Sequence, residues 1–463
     1  MYFNSKTFFP AMHGREIDVI GVGVSNTALI FRLSEAGAHV TLHDRRTREN
    51  MPEDLIERLE DAHVTLSLGD GYLDDLNGDI IFRTPGMYFN NPALVRAREA
   101  GKVVTSELEV FLALCPCPVF GVTGSDGKTT TTTLIAEMLK RTGKRVYLGG
   151  NIGKALLPLL DQISANDYCV VELSSFQLMS IRSSPDVAVL TNITPNHLDV
   201  HGTMEEYIAC KCNILDHQDA FSRAVISSDN ETAAGLCGRV RGALSRFSRL
   251  HEVENGAWMD HAGNLYHSKA GRPIFLLNHD EMKLRGLHNV ENLLAAVSAV
   301  WGFVSVQDIV AVATTFAGVE HRIEPVRERN GVQWYNDSIA TSPTRMIAGL
   351  LSFEEKLIVI AGGYDKHIPF EPLAQPVLEH VKVLILTGAT ADRIESVVRS
   401  APGFAESGLR ILRAKDLDEA VHIADSVAQS GDIVTLSPAC ASFDAFPNFE
   451  ARGRYYKNLV NAL

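Results

Sequence analysis

Short, largely apolar runs recur along this chain, each closing on a glycine, proline or polar turn. They include Ile17 to Ile20, Ile80 to Phe82, Tyr168 to Leu173, Val187 to Leu190 and Ala224 to Ile226. Lys356 to Ile360, Val381 to Leu386 and Asp432 to Leu436 complete the set. Runs of this length between helical or turn-rich stretches predict strands of buried parallel sheets, gathered here into three successive α/β blocks. In the first block, Ile17 to Ile20 precedes Gly21-Val22-Gly23-Val24-Ser25-Asn26. A helix then runs to Ala36-Gly37, and a second strand, His39 to His43, ends at Asp44. That order is the opening βαβ unit of a nucleotide-binding domain, although Asn26 stands where a dinucleotide fingerprint has its third glycine. Ile80 to Phe82 enters a Pro85-Gly86 turn, and Cys115-Pro116-Cys117-Pro118 reads as a linker, because proline limits both helix and sheet. Strands of the third block end in turns where open α/β sheets bind ligands. The sequence contains no repeat of fixed period and no low-complexity tract.

A length of 463 residues suggests about three domains. Hydrophobic content of 46% with 21% charged residues fits a globular chain and excludes wholesale disorder. The net charge of −13 argues against a general binder of nucleic acid or anionic membrane, and leaves room for local phosphate sites. Seven cysteines form no Cys-x-x-Cys pair. Cys115/Cys117 and Cys210/Cys212 are each separated by one residue, which predicts reduced thiols in a cytoplasm. With no signal-like apolar segment at the N-terminus and no run approaching a membrane span, a cytoplasmic protein without stable membrane insertion is expected.

Gly121-Val122-Thr123-Gly124-Ser125-Asp126-Gly127-Lys128-Thr129-Thr130 carries the strongest chemical signal. It lies between Pro118-Val119-Phe120 and a helical pattern from Thr131 to Arg141. A strand, a glycine turn and a helix start together bind phosphate, because glycine frees backbone N–H groups and the helix N-terminus adds positive potential. Lys128 reaches towards β/γ-phosphates and the Thr129 hydroxyl towards Mg²⁺. The spacing is narrower than the general phosphate loop, which has glycine where Val122 stands. Glu172 closes an apolar strand, and His197 lies in Asn192-Ile193-Thr194-Pro195-Asn196-His197-Leu198-Asp199, just past another. A carboxylate and an imidazole at strand ends can hold Mg²⁺ beside phosphates, or can be a turn cap and an ordinary loop histidine. Thr203 and Glu206 form a capping box, which places Lys211 about two turns into a helix. An ammonium there would be repelled by a metal unless it binds phosphate or is chemically altered; a surface lysine is the plain alternative.

Taken together, Thr123 to Thr129, Glu172-Leu173-Ser174-Ser175-Phe176-Gln177, Asn192 to Asp199 and Gly286-Leu287-His288-Asn289-Val290-Glu291-Asn292 resemble the Mur ligases of peptidoglycan synthesis. Glu320-His321-Arg322-Ile323-Glu324, Tyr335-Asn336-Asp337-Ser338 and Leu436 to Asp444, followed by Asn448-Phe449-Glu450, extend the likeness over essentially the whole chain. The last segment resembles the glutamate-adding members. The resemblance implies three α/β domains. A Rossmann-like UDP-substrate-binding domain would span 1–115, a central P-loop ATPase-type parallel sheet 116–319 and a Rossmann-like C-terminal domain 320–463. It implies ATP-dependent addition of D-glutamate to UDP-N-acetylmuramoyl-L-alanine through an acyl phosphate, with other acceptor amino acids as the alternative.

By the same resemblance, Gly124, Ser125, Asp126, Gly127, Lys128, Thr129, Thr130, Asn292, Arg322 and Asp337 would contact ATP. Lys128, His197 and Lys211 would be catalytic. Thr129, Glu172, His197 and a CO₂-carbamylated Lys211 would surround two Mg²⁺ ions. Gly23, Asp44, Arg45, Thr84 and Asn151 would hold the UDP substrate, and Thr341, Lys366, Ser442 and Phe449 the D-glutamate. The partners implied are small molecules, with no nucleic acid, and a monomer is expected. Where many members carry a lysine after Asn-Asp-Ser, this chain has Ile339, and Arg345 is the cation placed to compensate. Asp126 stands where many members have asparagine. ATP is expected between the second and third domains, with a hinge near Gly318 to His321 and closure that excludes water. A nucleotide switch or an NAD(P) oxidoreductase would leave the motifs of the second and third blocks without a role.

Overall fold

The structure, a computed structural model, describes residues 3–195, 201–284, 286–365 and 369–463, with Val24 and Ser25 described by their backbone alone. Five strands, β1 (Glu16–Ile20), β2 (His39–Asp44), β3 (Thr65–Leu68), β4 (Ile80–Phe82) and β5 (Val103–Thr105), form a parallel sheet in the order 3-2-1-4-5. The order reverses between β1 and β4, so the crevice beyond their carboxyl ends is the natural ligand position.

The second sheet comprises β6 (Val119–Thr123), β7 (Val146–Gly150), β8 (Tyr168–Glu172), β9 (Val187–Leu190), β10 (Arg223–Ser227), β11 (Ala243–Ser248), β12 (Gly256–Met259), β13 (Asn264–Lys269) and β14 (Arg272–Asn278), in the order 14-13-12-11-10-9-6-8-7. Its middle strands β6, β8 and β9 are buried along their whole length because both faces are covered. Phe120, Val122, Val170, Val189 and Val225 face the helices Lys128–Lys140 and Leu287–Val300. Cys169, Val171, Leu190 and Ile226, one step out of phase, join a core that continues through Leu157 and Leu160 to Leu29, Leu33 and Phe9 of the first block. The first two sheets therefore share one core. Cys115 to Pro118, expected to be a linker, is packed into it: Cys117 is buried and its neighbour Cys115 is half-buried.

The sheet also departs from the all-parallel expectation, since β12, β13 and β14 pair antiparallel. Ala270 and Gly271, both at positive φ (50° and 70°), make the two-residue turn between β13 and β14. Such a turn matches the twist of a hairpin, but Ala-Gly lacks the asparagine or aspartate that announces one.

The third sheet contains β15 (Glu324–Arg329), β16 (Val332–Asn336), β17 (Leu357–Ala361), β18 (Val381–Leu386), β19 (Arg410–Arg413) and β20 (Ile433–Leu436), in the order 15-16-20-17-18-19. Among the described residues, only the β15–β16 pair of its strands is antiparallel, turning at Asn330-Gly331. Two cores cover its faces, and the helices Leu417–Val427 and Phe449–Ala462 contribute to one of them. The chain is thus three α/β sheets, packed as two compact units, Met1–Phe316 and Ala317–Leu463. Among the described residues, no helix is long and apolar enough to cross a membrane. All seven cysteines are free thiols.

Buried Glu107 opens the helix Glu107–Leu114, and its Oε1 accepts the Leu156 and Leu157 N–H groups at 2.9 and 2.7 Å. Burial pushes its carboxyl up to about 7, against the pull of those two bonds. Between the ordinary glutamate range and pH 7 the folded chain then holds a proton that the unfolded chain has released. Stability therefore falls as pH rises through that window. Glu107→Gln keeps the acceptor and loses the charge. It is expected to remove about 1–3 kcal/mol of the stability difference between pH 5 and pH 8, read from urea unfolding. An unchanged pH slope would contradict the assignment.

Candidate active site

Strand β6 ends at Thr123, and the chain turns sharply before the helix Lys128–Lys140. The turn admits only glycine at two points. Gly124 (φ 154°) would place a Cβ 1.9 Å from Thr191 Oγ1, and Gly127 (φ 77°) would place one 2.2 Å from Asn292 Oδ1. Ser125 faces inward, its hydroxyl within 2.9 Å of the Thr194 carbonyl and 3.0 Å of Tyr207 OH. The Asp126 amide donates to Asn192 Oδ1 at 2.9 Å. Lys128 folds back so that Nζ donates to the Gly124 and Ser125 carbonyls at 2.9 and 2.8 Å. Thr130 is buried in the first turn of the helix. Asn292 reaches this loop from the helix Leu287–Val300, and its Oδ1 accepts from Thr131 Oγ1 at 3.3 Å.

The Thr129 hydroxyl donates to Glu172 Oε2 at 2.7 Å, and Asn151 Nδ2 donates to Glu172 Oε1 at 2.7 Å. The ends of β6, β7 and β8 thus bring loop hydroxyl, amide and buried carboxylate together. Lys211 lies in the helix Met204–Asp216, with its ammonium 2.8 Å from the Gly124 carbonyl and 4.7 Å from the centre of the Tyr207 ring. The lysine is buried, and burial, reinforced by the Lys128 charge, pushes its amine down to about 7. His197 lies outside the described residues.

Gly23, Asp44, Arg45 and Thr84 line one cleft of about 660 Å³ at the carboxyl ends of β1, β2 and β4. Asn151 is not in its lining; at the end of β7 it belongs to the Glu172 group. Asp44 takes up the Val22 N–H at 3.0 Å and the Arg46 backbone and guanidinium at 2.9–3.0 Å. Burial works against its ionised form, but the Arg46 bonds outweigh burial and hold the carboxyl below the usual range. Arg46 and Tyr88 are cleft residues that sequence reasoning missed. Asp44-x-Arg46 was a readable signal for the first. Tyr88, whose hydroxyl donates to the Glu206 carboxylate, depends on a helix more than a hundred positions away, and the sequence carries no sign of that pairing.

In the second unit, Arg322 sits in a turn whose neighbours His321 and Ile323 both have positive φ, 66° and 43°. For a β-branched residue this is a strained backbone, of the kind concentrated at functional positions. Asp337 Oδ1 accepts the Ile323 N–H at 3.3 Å and Oδ2 accepts the Ser437 hydroxyl at 2.8 Å, so the turn is held against the ends of β16 and β20. Burial pushes the Asp337 carboxyl up to about 7. Ser442 is buried, while Thr341 and Phe449 are half-buried. Lys366 lies outside the described residues. Arg345 Nη1 donates to the Ile339 carbonyl at 3.2 Å.

Sequence reasoning also missed Arg452. Its buried guanidinium donates to the Ser338 hydroxyl and carbonyl at 3.0 and 2.9 Å, and to the Ala441 and Cys440 carbonyls at 3.1 Å each. It thereby ties the loop carrying Ile339 and Thr341 to the loop carrying Ser442. Burial lowers it to about 10, which leaves it a cation at neutral pH.

A phosphate-type loop facing a buried carboxylate, set in a chain of three α/β sheets, agrees with the comparisons. Residues 122–300 match the Mur ligase middle domain, and residues 321–440 match the Mur ligase, glutamate ligase domain. The chain belongs to the Mur ligase family. It is 48% identical over 461 residues to the UDP-N-acetylmuramoylalanine–D-glutamate ligase of Clostridium acetobutylicum, covering 98% of both chains. Identity to the enzyme of that name from Clostridium botulinum strain Hall is 45% over 464 residues and 100% of both. Among solved structures, the UDP-N-acetylmuramate–alanine ligase MurC of Thermotoga maritima aligns with a TM-score of 0.57 at 18% identity, covering 97% of this chain and 99% of that one. A pseudomurein peptide ligase type C from Methanothermus fervidus aligns at 0.54 and 18%, covering 97% and 100%. These structures share the fold.

Proposed function

We propose that this chain is the ligase that adds D-glutamate to UDP-N-acetylmuramoyl-L-alanine at the expense of ATP, working in the cytoplasm on peptidoglycan precursors. The observation that carries the proposal is the near-complete alignment, at 45–48% identity, with enzymes of that name. In the reaction, an alanyl carboxylate oxygen attacks the γ-phosphorus of ATP and ADP departs. The D-glutamate amine then attacks the acyl carbon, phosphate leaves, the amide forms and the amine gives up a proton. Phosphorylation turns a poor electrophile into a good one, so the protein's contribution is positioning and neutralisation of phosphoryl charge.

Gly124, Ser125, Asp126, Gly127, Thr129 and Thr130 form the phosphate cradle, and Lys128 swings from its carbonyl partners onto the transferring phosphoryl group. Asn292, Arg322 and Asp337 are assigned to the nucleotide. Gly23, Asp44, Arg45 and Thr84 hold the uridine diphosphate, Asn151 the adjoining part of the substrate. Thr341, Lys366, Ser442 and Phe449 receive D-glutamate. The oxygen donors Thr129 and Glu172, 2.7 Å apart, suit a hard cation, and with His197 they would hold Mg²⁺. Bound there, Mg²⁺ would neutralise charge on the phosphates.

Lys211 fits carbamylation. Its amine, pushed down to about 7, is substantially neutral in the cell, and a neutral amine adds CO₂ to give a carbamate and one proton. The product would exchange repulsion from Lys128 for attraction. For the domain limits, 1–115, 116–319 and 320–463 are the proposed division.

The test is ADP release with UDP-N-acetylmuramoyl-L-alanine and each candidate amino acid, with product mass read in parallel. The expected result is ADP that depends on both substrates and a product one glutamate heavier for the D-isomer alone. Substrate-dependent ADP with another acceptor would reassign the specificity, and none at all would reject the ligase reading. Arg345→Ala, which removes the cation beside the Ile339 loop, is expected to raise the Michaelis constant for D-glutamate about 10-fold with little change for ATP. An unchanged glutamate constant would take Arg345 out of the acceptor site.

A further inference from the structure

Cys115, Cys117 and Cys169 converge where the first block enters the central sheet. Their sulfur atoms lie 3.7 Å (Cys115–Cys117), 3.7 Å (Cys115–Cys169) and 3.5 Å (Cys117–Cys169) apart. These separations are far beyond the ~2.05 Å of a disulfide. They are close to the spacing of thiolates around a tetrahedral zinc ion, where Zn–S bonds of about 2.3 Å place neighbouring sulfurs about 3.8 Å apart. The three atoms thus outline one face of such a tetrahedron. Cys117 and Cys169 are buried and Cys115 is half-buried, which leaves the fourth corner for a small ligand from solvent on the Cys115 side.

The cluster is held by its surroundings. Cys169 sits near the start of β8, and Cys117 precedes β6 by two residues, its neighbour Pro118 accepting the Cys169 N–H at 3.1 Å. The Val119 N–H that follows donates to Asp186 Oδ2 at 2.8 Å. Mutual hydrogen bonding keeps the Cys115 thiol well below the usual range, and those same bonds push Cys169 well above it.

We infer that Cys115, Cys117 and Cys169 bind one soft divalent cation, Zn²⁺, as a structural clamp between the first block and the central sheet. Binding replaces the S–H bonds with S–Zn bonds and releases their protons to solvent, with no change of oxidation state. Glu172, which meets the phosphate loop, closes the strand in which Cys169 is the second residue, so the two backbone positions are about 10 Å apart along β8. Its loss should weaken the fold and leave the ligase chemistry in place.

Reduced, full-length protein titrated anaerobically with Co²⁺ would test this, because thiolate-to-cobalt charge transfer reports sulfur ligation and is silent for ions on carboxylate or histidine sites. About one Co²⁺ per chain with such a band is expected, displaced by Zn²⁺, with a higher unfolding midpoint in the zinc form. The band should disappear in Cys115→Ser, the mildest change, and in Cys169→Val, which keeps the strand packed; it should persist in Cys237→Ser, outside the cluster. Absence of the band in the parent protein, its survival in Cys115→Ser, or formation of a Cys115–Cys117 disulfide with no metal uptake would each overturn the inference.

Discussion

Replacing Lys211 with alanine is expected to lower ligase turnover by about 10²- to 10³-fold, and short carboxylates such as acetate are expected to restore part of it. The native amine is enclosed by the Gly124 carbonyl and the Tyr207 ring, at the back of the phosphate loop. As an ammonium it would add a second cation beside Lys128, and the resulting repulsion contributes to its lowered proton affinity. As a carbamate it would supply an anion in the same place, which is the change a small carboxylate in the alanine cavity can imitate. Lys211→Met preserves volume without an attachment point for CO₂. It should be equally slow and, with the cavity filled, insensitive to added carboxylate. Full turnover of Lys211→Ala without additive would remove the residue from the mechanism.

Gly127→Ala is expected to raise the Michaelis constant for ATP about 100-fold or more and to lower the unfolding midpoint. Two effects combine. A left-handed backbone costs an ordinary residue about 1–2 kcal/mol. The new methyl would also lie 2.2 Å from Asn292 Oδ1, so either the loop or the buried Asn292 must move. Gly143 separates the two: it has the same φ of 77°, and its Cβ would meet nothing within 4 Å. Gly143→Ala should therefore show the backbone cost alone, with ATP kinetics unchanged. Steady-state ADP release and thermal unfolding of the two variants are the measurements. Equal behaviour of both would show that the clash with Asn292 has no bearing on ATP binding.

What the sequence could announce was local. A strand, glycine turn and helix start are contiguous, so the phosphate loop was readable before any fold was known. Glu172 was legible as a strand-end carboxylate for the same reason. Arg452 was not, because its partners at Ser338, Cys440 and Ala441 are brought together by two separate loops, and on a helix pattern it reads as a solvent-facing arginine. Glu107 was hidden likewise: a glutamate opening a helix is ordinary, and only the arrival of Leu156 and Leu157 turns it into a buried acceptor. The cysteine cluster shows the limit most simply. Cys115 and Cys117 were visible as a pair, but Cys169 is 52 positions further on and joins them only because β8 lies beside β6. The β13–β14 hairpin escaped notice because Ala270 adopts a conformation usually signalled by asparagine or glycine.

The core common to the first two sheets bears on how genes of this family can be recombined. A crossover at residues 115–118 would join Phe9, Leu29 and Leu33 from one parent to Leu157, Leu160 and Val171 from another, two halves of a jigsaw that never evolved against each other. Arg32, paired with Asp161 at 2.8 Å, would lose its counterpart wherever the parents differ. Among the described residues each core cluster lies within one compact unit, so a crossover between Phe316 and Ala317 divides none of them. Chimaeras built at that junction are the ones that inherit intact interiors from both parents, and the chain's compact units, not its count of sheets, mark where shuffling is tolerated.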